Sequence, residues 1–544
     1  MQKTLSTLSF SRLSQDVSAG LLVALVGLPQ CLAYAMLSGL PPMYGLSTAI
    51  VAGALAALLG KSAHINVGPT NTTGLIVLAS LAPFAGSLDT LLPAMAVLTI
   101  LAGAWRLVIV LGRAERIFNF IPEAVMLGFA TGAALLIAWM QVDDLLGLPV
   151  QGARTALAQG EALIGLTWLD VDTVGISLGV LALMAVLVGK RYLPRWPMAL
   201  IALLIASAIA ITLPPAWQEN IMFLGNTADI QDGWPQGAWP SLDPDLWWQL
   251  LTPALAIAMI GSLELIVTLR ANREMHFLNT ELRAQGWANI VAAFASSFPA
   301  SASLTRSALL KLGRAQTRFA PFITALLLLP VLLLGAQWIQ QIPVAVIAGL
   351  LVATAWSMLD QPSISALWRG NRQTRSLFLV TLLATLTIPF HYAILLGVGL
   401  SIALFLHQTS QAELRWFTCQ DGQLFPRPSA YNPLVDTPAS DDHPDCLYVQ
   451  VSGSLYFAAA KALPDQISAG LTPQCRRLYI DVHHAHQLRY SALLALKEVV
   501  DYATEHGIEV FINGTSRLKT MAQRFNVPLP LVDWTLERRM VWQD

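Results

Sequence analysis

Arg306 lies in Phe298-Pro-Ala-Ser-Ala-Ser-Leu-Thr-Arg-Ser307, a small, polar, proline-interrupted stretch between apolar segments long enough to help cross a bilayer. A cation at membrane depth is costly, so its presence there points to a functional demand. A second interruption, Val67-Gly-Pro-Thr-Asn-Thr-Thr-Gly74, lies far upstream between other apolar segments. Two interrupted segments in corresponding places mark the binding site of a secondary transporter, and a fixed cation at one of them suits an anion. The chain shows no pairing of nucleophile and base, no phosphate loop and no metal-ligand set, so an enzyme is not expected, nor a cofactor. The cysteines at 31, 419, 446 and 475 form no ligand or disulfide pattern.

The setting of these residues is a membrane. The chain is 55% hydrophobic and 12% charged over 544 residues, and windows such as 252–267, 323–335 and 393–406 carry almost no charge. Apolar segments are predicted at 17–36, 43–60, 70–82, 90–112, 122–142, 172–189, 196–213, 247–268, 284–297, 304–312, 319–335, 342–357, 375–388 and 391–406, fourteen in all. Residues 1–16 lack the cleavage region of a signal peptide, so the first segment is expected to be retained. Basic residues fall in alternate connections: Lys61; Arg113 and Arg116; Lys190, Arg191 and Arg195; Arg270, Arg273 and Arg283; Lys311, Arg314 and Arg318; Arg369, Arg372 and Arg375. The opposite connections carry only Arg154, and 214–246 has five carboxylates without Lys or Arg. By the positive-inside rule this puts the N-terminus and the C-terminal region in the cytoplasm of a multi-pass cell-membrane protein.

The segments at 70–82 and 304–312 would rise only about 19 and about 13 Å as helices, against a hydrocarbon core of roughly 30 Å. Each follows an extended stretch containing proline, tolerated at depth only where protein or a water-filled cavity satisfies the backbone. Their helix N-termini are expected to meet, with unpaired N–H groups and positive dipole ends directed at an anion. Arg306 would strengthen that field.

Asp16-Val-Ser-Ala-Gly-Leu, Leu28-Pro-Gln-Cys-Leu-Ala-Tyr-Ala35, Gly39-Leu-Pro-Pro-Met-Tyr-Gly45, Val67-Gly-Pro-Thr70, Asn279-Thr-Glu-Leu with Gln285-Gly-Trp-Ala-Asn289, and Ser303-Leu-Thr-Arg-Ser307 together resemble the sulfate permease (SulP) family over nearly the whole chain. The resemblance implies an α-helical polytopic membrane protein of fourteen segments in two inverted repeats of seven, a core domain moving against a gate domain, a small α/β STAS domain and a homodimer. It implies an anion held by Gln30, Tyr34, Thr70, Asn71, Ser303, Thr305 and Arg306, with Glu264 contributing. Glu264, a carboxylate among aliphatic residues in Ile260-Gly-Ser-Leu-Glu-Leu-Ile-Val267, could carry a coupling proton, or could instead pair with Arg270 or Arg306. Many members of the family have alanine where Asn71 stands, and the amide could donate to an oxyanion or narrow the site. Gly128-Phe-Ala-Thr-Gly132 reads as a helix-packing motif.

The expected division is an N-terminal segment over 1–16, a transport domain over 17–406, a linker over 407–444 containing Pro426, Pro428, Pro433 and Pro438, and a STAS domain over 445–544. The last region holds 20 of the 65 charged residues. Strands are predicted at 447–451, 477–482 and 509–513, with a helix at 491–506. Ser491 follows Arg489-Tyr rather than the aspartate of anti-sigma antagonists, which argues against a phosphorylation switch there. His483, His484 and His486 read as a loop after a strand rather than a metal site. The function expected is proton-coupled transport of a small anion such as sulfate, bicarbonate or a C4-dicarboxylate. The alternatives are sodium-coupled bicarbonate symport, anion exchange, a nucleobase symporter, which Arg306 suits poorly, and a non-transporting, voltage-responsive membrane protein.

Overall fold

A computed structural model of the chain describes residues 10–112, 122–148, 160, 172–193, 196–227, 230, 232–388, 390–409, 413–420, 423–426, 446–455, 457–472, 474–486 and 488–532. Arg113, Arg116, Arg154, Arg195, most of the expected linker and the prolines at 428, 433 and 438 lie outside the described residues. The chain divides into two compact units, 1–401 and 402–544.

In the first unit a helix answers to each of the fourteen expected segments. They are α1 (Phe10–Leu37), α2 (Pro42–Leu59), α3 (Asn71–Leu81), α4 (Leu88–Leu111), α5 (Glu123–Met140), α6 (Thr173–Tyr192) and α7 (Met198–Thr212). The second set comprises α8 (Pro244–Asn272), α9 (Leu278–Ala292), α10 (Leu304–Leu312), α11 (Phe319–Leu334), α12 (Val344–Met358), α13 (Arg372–Thr387) and α14 (Phe390–Thr409), which runs past residue 401. Among the described residues, seven helical stretches are long and apolar enough to cross a membrane on length and composition alone. Starts are set by local chemistry: Pro42 and Pro244 occupy first-turn positions, where the missing N–H costs nothing, and Asp243 accepts a bond from the Asp245 amide to cap α8.

The helices pack as two groups. In the core group α4 lies on α8 and α9, α2 on α9 and α11, and α1 on α2 and α11. In the gate group α5 packs on α13 and α12, and α6 on α12 and α7. Small residues permit the close approaches: a Cβ on Gly128 would stand 2.6 Å from the Phe378 carbonyl oxygen, so the 128–132 motif serves the α5–α13 contact. Short strands precede the two short helices, β1 (Val67–Gly68) before α3 and β2 (Ser301–Ala302) before α10. They pair antiparallel, Val67 with Ala302 and Gly68 with Ser301. Because α3 and α10 are third in each set of seven, this pairing across opposed strands matches an inverted repeat.

In the second unit β3 (Glu413–Gln420), β4 (Gln423–Pro426), β5 (Cys446–Ser454), β6 (Arg477–Asp481), β8 (Glu509–Asn513) and β9 (Leu531–Val532) form a sheet ordered β4-β3-β5-β6-β8-β9, with β7 (Ala485–His486) on β5. The β5, β6, β8 and β9 pairings are parallel, and β3 is antiparallel to β5. The helices of this unit are α15 (Phe457–Gly470), α16 (Tyr490–Glu505) and α17 (Ser516–Arg524). Val449, Leu478, Ile480 and Ile512 from the strands and Leu463, Leu493 and Leu496 from the helices build one buried core. Two strands, β3 and β4, fall within the segment 407–444 expected to be a linker. The alternating Leu414 and Trp416, which pack on that core, were the available signal. His483 follows β6 with its Nδ1 3.0 Å from Asp481 Oδ1, and Ser491 lies in the first turn of α16.

Candidate functional site

The two half-helices α3 and α10 are capped alike. Thr70 precedes α3 and its hydroxyl accepts from the Thr73 amide, while Ser303 precedes α10 and accepts from the Arg306 amide. The lead-in strands bring these two N-termini together, and Ser303 N donates to Asn66 O at 2.9 Å. Beside them opens a cavity of about 730 Å³. Its wall includes Gln30 and Tyr34 from α1, Thr70, Asn71 and Thr72 at the start of α3, Glu264 from α8, Ser303 and Thr305 at α10, and Thr354, Ser357 and Met358 from α12. Every expected site residue except Arg306 therefore lines one cavity between the core and gate groups.

Arg306 is 1% exposed, and its side chain is outside that lining. Its Nε donates to Asn66 Oδ1 and its Nη2 to Pro69 O, both at 2.8 Å, and Nη1 is buried without a protein partner. The guanidinium thus ties α10 to the extended segment before α3. Asn66, which carries no signal in the sequence, is the hub of this tie: its side-chain Oδ1 accepts from Arg306 Nε, and its backbone N donates to Ser307 Oγ at 3.0 Å.

Glu264 pairs with neither Arg270 nor Arg306. Hydroxyls of Thr72 and Ser301 donate to its two carboxylate oxygens, and Thr70 Oγ1 lies 3.4 Å from Oε2. The carboxylate consequently joins α8 to both half-helix lead-ins. Asn71 Oδ1 accepts from the Thr72 amide at 2.9 Å, and Nδ2 is directed at the Met358 sulfur, which bridges the core and gate groups. Gln30 Oε1 is buried and has no protein partner.

Thr72, Ser301, Asn66 and Arg106 were missed in sequence. Arg106 sits within the apolar run of α4, fully buried, and donates from Nη1 to Ala300 O at 2.7 Å. The expense argument that singled out Arg306 applies to it equally. Lys190, counted in sequence among the loop cations, also lines the cavity.

A polytopic helical protein with two opposed, capped half-helices at one cavity has the architecture of a secondary transporter. Comparison with known proteins specifies it further: residues 13–381 match the model of the sulfate permease family, and residues 437–526 match the STAS domain. The chain belongs to the sulfate permease family. It is 30% identical over 401 residues to the probable sulfate transporter MT1781 of Mycobacterium tuberculosis (strain CDC 1551 / Oshkosh), covering 73% of this chain and 70% of that one. It is 23% identical over 515 residues to the bicarbonate transporter BicA of Picosynechococcus sp. (strain ATCC 27264 / PCC 7002 / PR-6), covering 93% of this chain and 89% of that one. The solved structure of SLC26A9 shares the fold at a TM-score of 0.79 and 18% identity, covering 96% of this chain and 88% of that one.

Proposed function

We propose that the protein is a secondary active transporter of small inorganic or organic anions, with the anion held in the cavity where α3 and α10 begin. The observation that carries this is the convergence of two capped helix N-termini on one cavity, with the Arg306 guanidinium of α10 braced against the segment that leads into α3. Helix dipoles and the amides that open each helix attract an oxyanion, and the hydroxyls of Thr70, Ser303 and Thr305 together with the side-chain amides of Gln30 and Asn71 supply donors. Arg306 adds a fixed positive charge close behind them. Sulfate, bicarbonate and C4-dicarboxylates suit this arrangement; relatives named as sulfate and bicarbonate transporters support the first two.

Transport would proceed by displacement of the core group against the gate group, breaking and remaking contacts such as that from Asn71 to Met358. Glu264 is the proposed seat of the coupling cation, a proton in the first reading. Sodium is the second reading, favoured by the hydroxyl oxygens of Thr70, Thr72 and Ser301 around the carboxylate, since hard cations take oxygen ligands. The N-terminus and the STAS unit are assigned to the cytoplasm from the distribution of basic residues, and the assembly is proposed to be a homodimer.

The test is uptake of labelled sulfate, bicarbonate and succinate into proteoliposomes under an imposed proton or sodium gradient, with wild type and Glu264→Gln side by side. Gradient-driven accumulation that the substitution abolishes is expected. Undiminished cation dependence in Glu264→Gln would remove the carboxylate from coupling, and no accumulation of any anion by wild type would remove transport itself. Competition by uracil would favour a nucleobase carrier.

A further inference from the structure

Arg106 is the second arginine that the membrane unit buries completely, and it has no place in the anion site. Its Nη1 is bonded to Ala300 O, whereas Nε and Nη2 have no protein partner. The guanidinium is pressed against α8 at Gly261: a Cβ there would stand 1.9 Å from Nη2 and 2.9 Å from Cζ. Gly261 precedes Glu264 by three positions, so the two residues neighbour each other along one side of α8. Glu264 is within electrostatic reach of Arg106, although the two form no direct ion pair. The same guanidinium holds the carbonyl of Ala300, the residue before Ser301, and Ser301 donates to Glu264. Asn289 of α9 completes the clamp, with Ala300 N donating to its Oδ1 at 2.8 Å and its Nδ2 donating to Ala300 O at 3.1 Å.

We propose that Arg106 is a positioning residue for transport: it is the counter-charge of the Glu264 carboxylate inside the core, and it fixes the backbone from which Ser301 reaches that carboxylate. This rests on the reading of Glu264 as the coupling group. A buried charge left uncompensated is strongly destabilising, while removal of both members of a pair is often nearly neutral. The arginine therefore permits a carboxylate to exist at this depth without occupying it by a direct salt bridge, and leaves its oxygens to the hydroxyls and to the coupling cation. Arg306 is thereby left to serve the transported anion.

The experiment is a double-substitution cycle on the purified full-length protein, with Arg106→Gln, Glu264→Gln, their combination and Arg106→Lys, each measured for thermal unfolding in detergent and for labelled sulfate uptake in proteoliposomes. Arg106→Gln and Glu264→Gln are each expected to lower the unfolding temperature, and the double variant to lose clearly less than the sum of the two. Arg106→Lys, which keeps the charge, is expected to recover most of the uptake lost in Arg106→Gln; the double variant recovers stability but no cation-driven accumulation. Additive losses in unfolding temperature would overturn the pairing. Uptake by Arg106→Gln with wild-type half-saturation and maximal rate would overturn the positioning role. If wild type accumulates no sulfate, the transport reading fails separately, and the unfolding cycle still decides whether the two charges are coupled.

Discussion

Replacement of Arg306 separates the two tasks that its position suggests. Its side chain makes two charge-assisted hydrogen bonds, to Asn66 Oδ1 and Pro69 O, each 2.8 Å long, and it carries a positive charge in the first turn of α10. A guanidinium roughly 6 Å from a monovalent anion, at an effective dielectric constant of about 20, contributes about 3 kcal/mol, or roughly 100-fold in affinity. Arg306→Ala is therefore expected to raise the half-saturating concentration of bicarbonate uptake by roughly 100-fold, and that of divalent sulfate by more. Arg306→Lys keeps the charge but does not reproduce the forked donation to Asn66 and Pro69. If charge dominates, its half-saturation stays within about tenfold of wild type on the same scale. Uptake should be measured over a range of anion concentrations at fixed gradient, with thermal unfolding of each variant followed in parallel. A folded Arg306→Ala protein with half-saturation within about threefold of wild type would refute the reasoning, because helix dipoles alone would then hold the anion. Equal loss in the Ala and Lys variants would instead assign Arg306 to bracing the segment that leads into α3.

Gly261→Ala should disturb Arg106 without removing a charge: the new Cβ, at 1.9 Å from Nη2, forces the guanidinium away and endangers the 2.7 Å bond to Ala300 O. A loss of about 1.5–3 kcal/mol is expected by thermal or denaturant unfolding, and a much smaller one on the Arg106→Gln/Glu264→Gln background; equal losses would exclude the mechanism. Asn71→Ala removes the contact with Met358 and an amide from the cavity wall, so the ratio of succinate to sulfate uptake should rise, as competition assays would read directly. In the second unit, Tyr448 donates to Asp481 Oδ2 at 2.7 Å, and Tyr448→Phe should cost about 1–2 kcal/mol, measured by hydrogen exchange of β5 in the intact chain. Burial first, and then the bond and charge of Asp481, hold the Tyr448 phenol above its ordinary value. The folded state thus favours the neutral phenol: this contribution to stability is complete below about pH 10 and falls as the pH rises further. Protection of β5 in Tyr448→Phe should lack that alkaline decline.

Sequence reasoning located the two half-helices because their cause is local. Proline at 69 and 299 interrupts the apolar runs, Thr70 and Ser303 are natural caps, and neither short helix can span a bilayer alone. The direction of Arg306 was not local. Its long side chain turns toward Asn66 and Pro69 only because β1 and β2 pair, Val67 opposite Ala302, across more than two hundred residues of chain. That same pairing presents Ser301 to Glu264 and sets Ala300 between Arg106 and Asn289. An intramembrane cation could be recognised as costly from composition, but the group that offsets the cost depends on packing. Arg106 carries no such signal because α4 is otherwise a full-length apolar helix whose proline, Pro93, lies near its start, far from the arginine. Gly261 was a trace of it, since an α8 otherwise rich in apolar bulk gives up a side chain where the guanidinium lies. The two buried arginines thus have distinct tasks: Arg306 stands behind the wall of the proposed anion site, tied to Asn66 and Pro69, and Arg106 offsets the only carboxylate among the described cavity-lining residues.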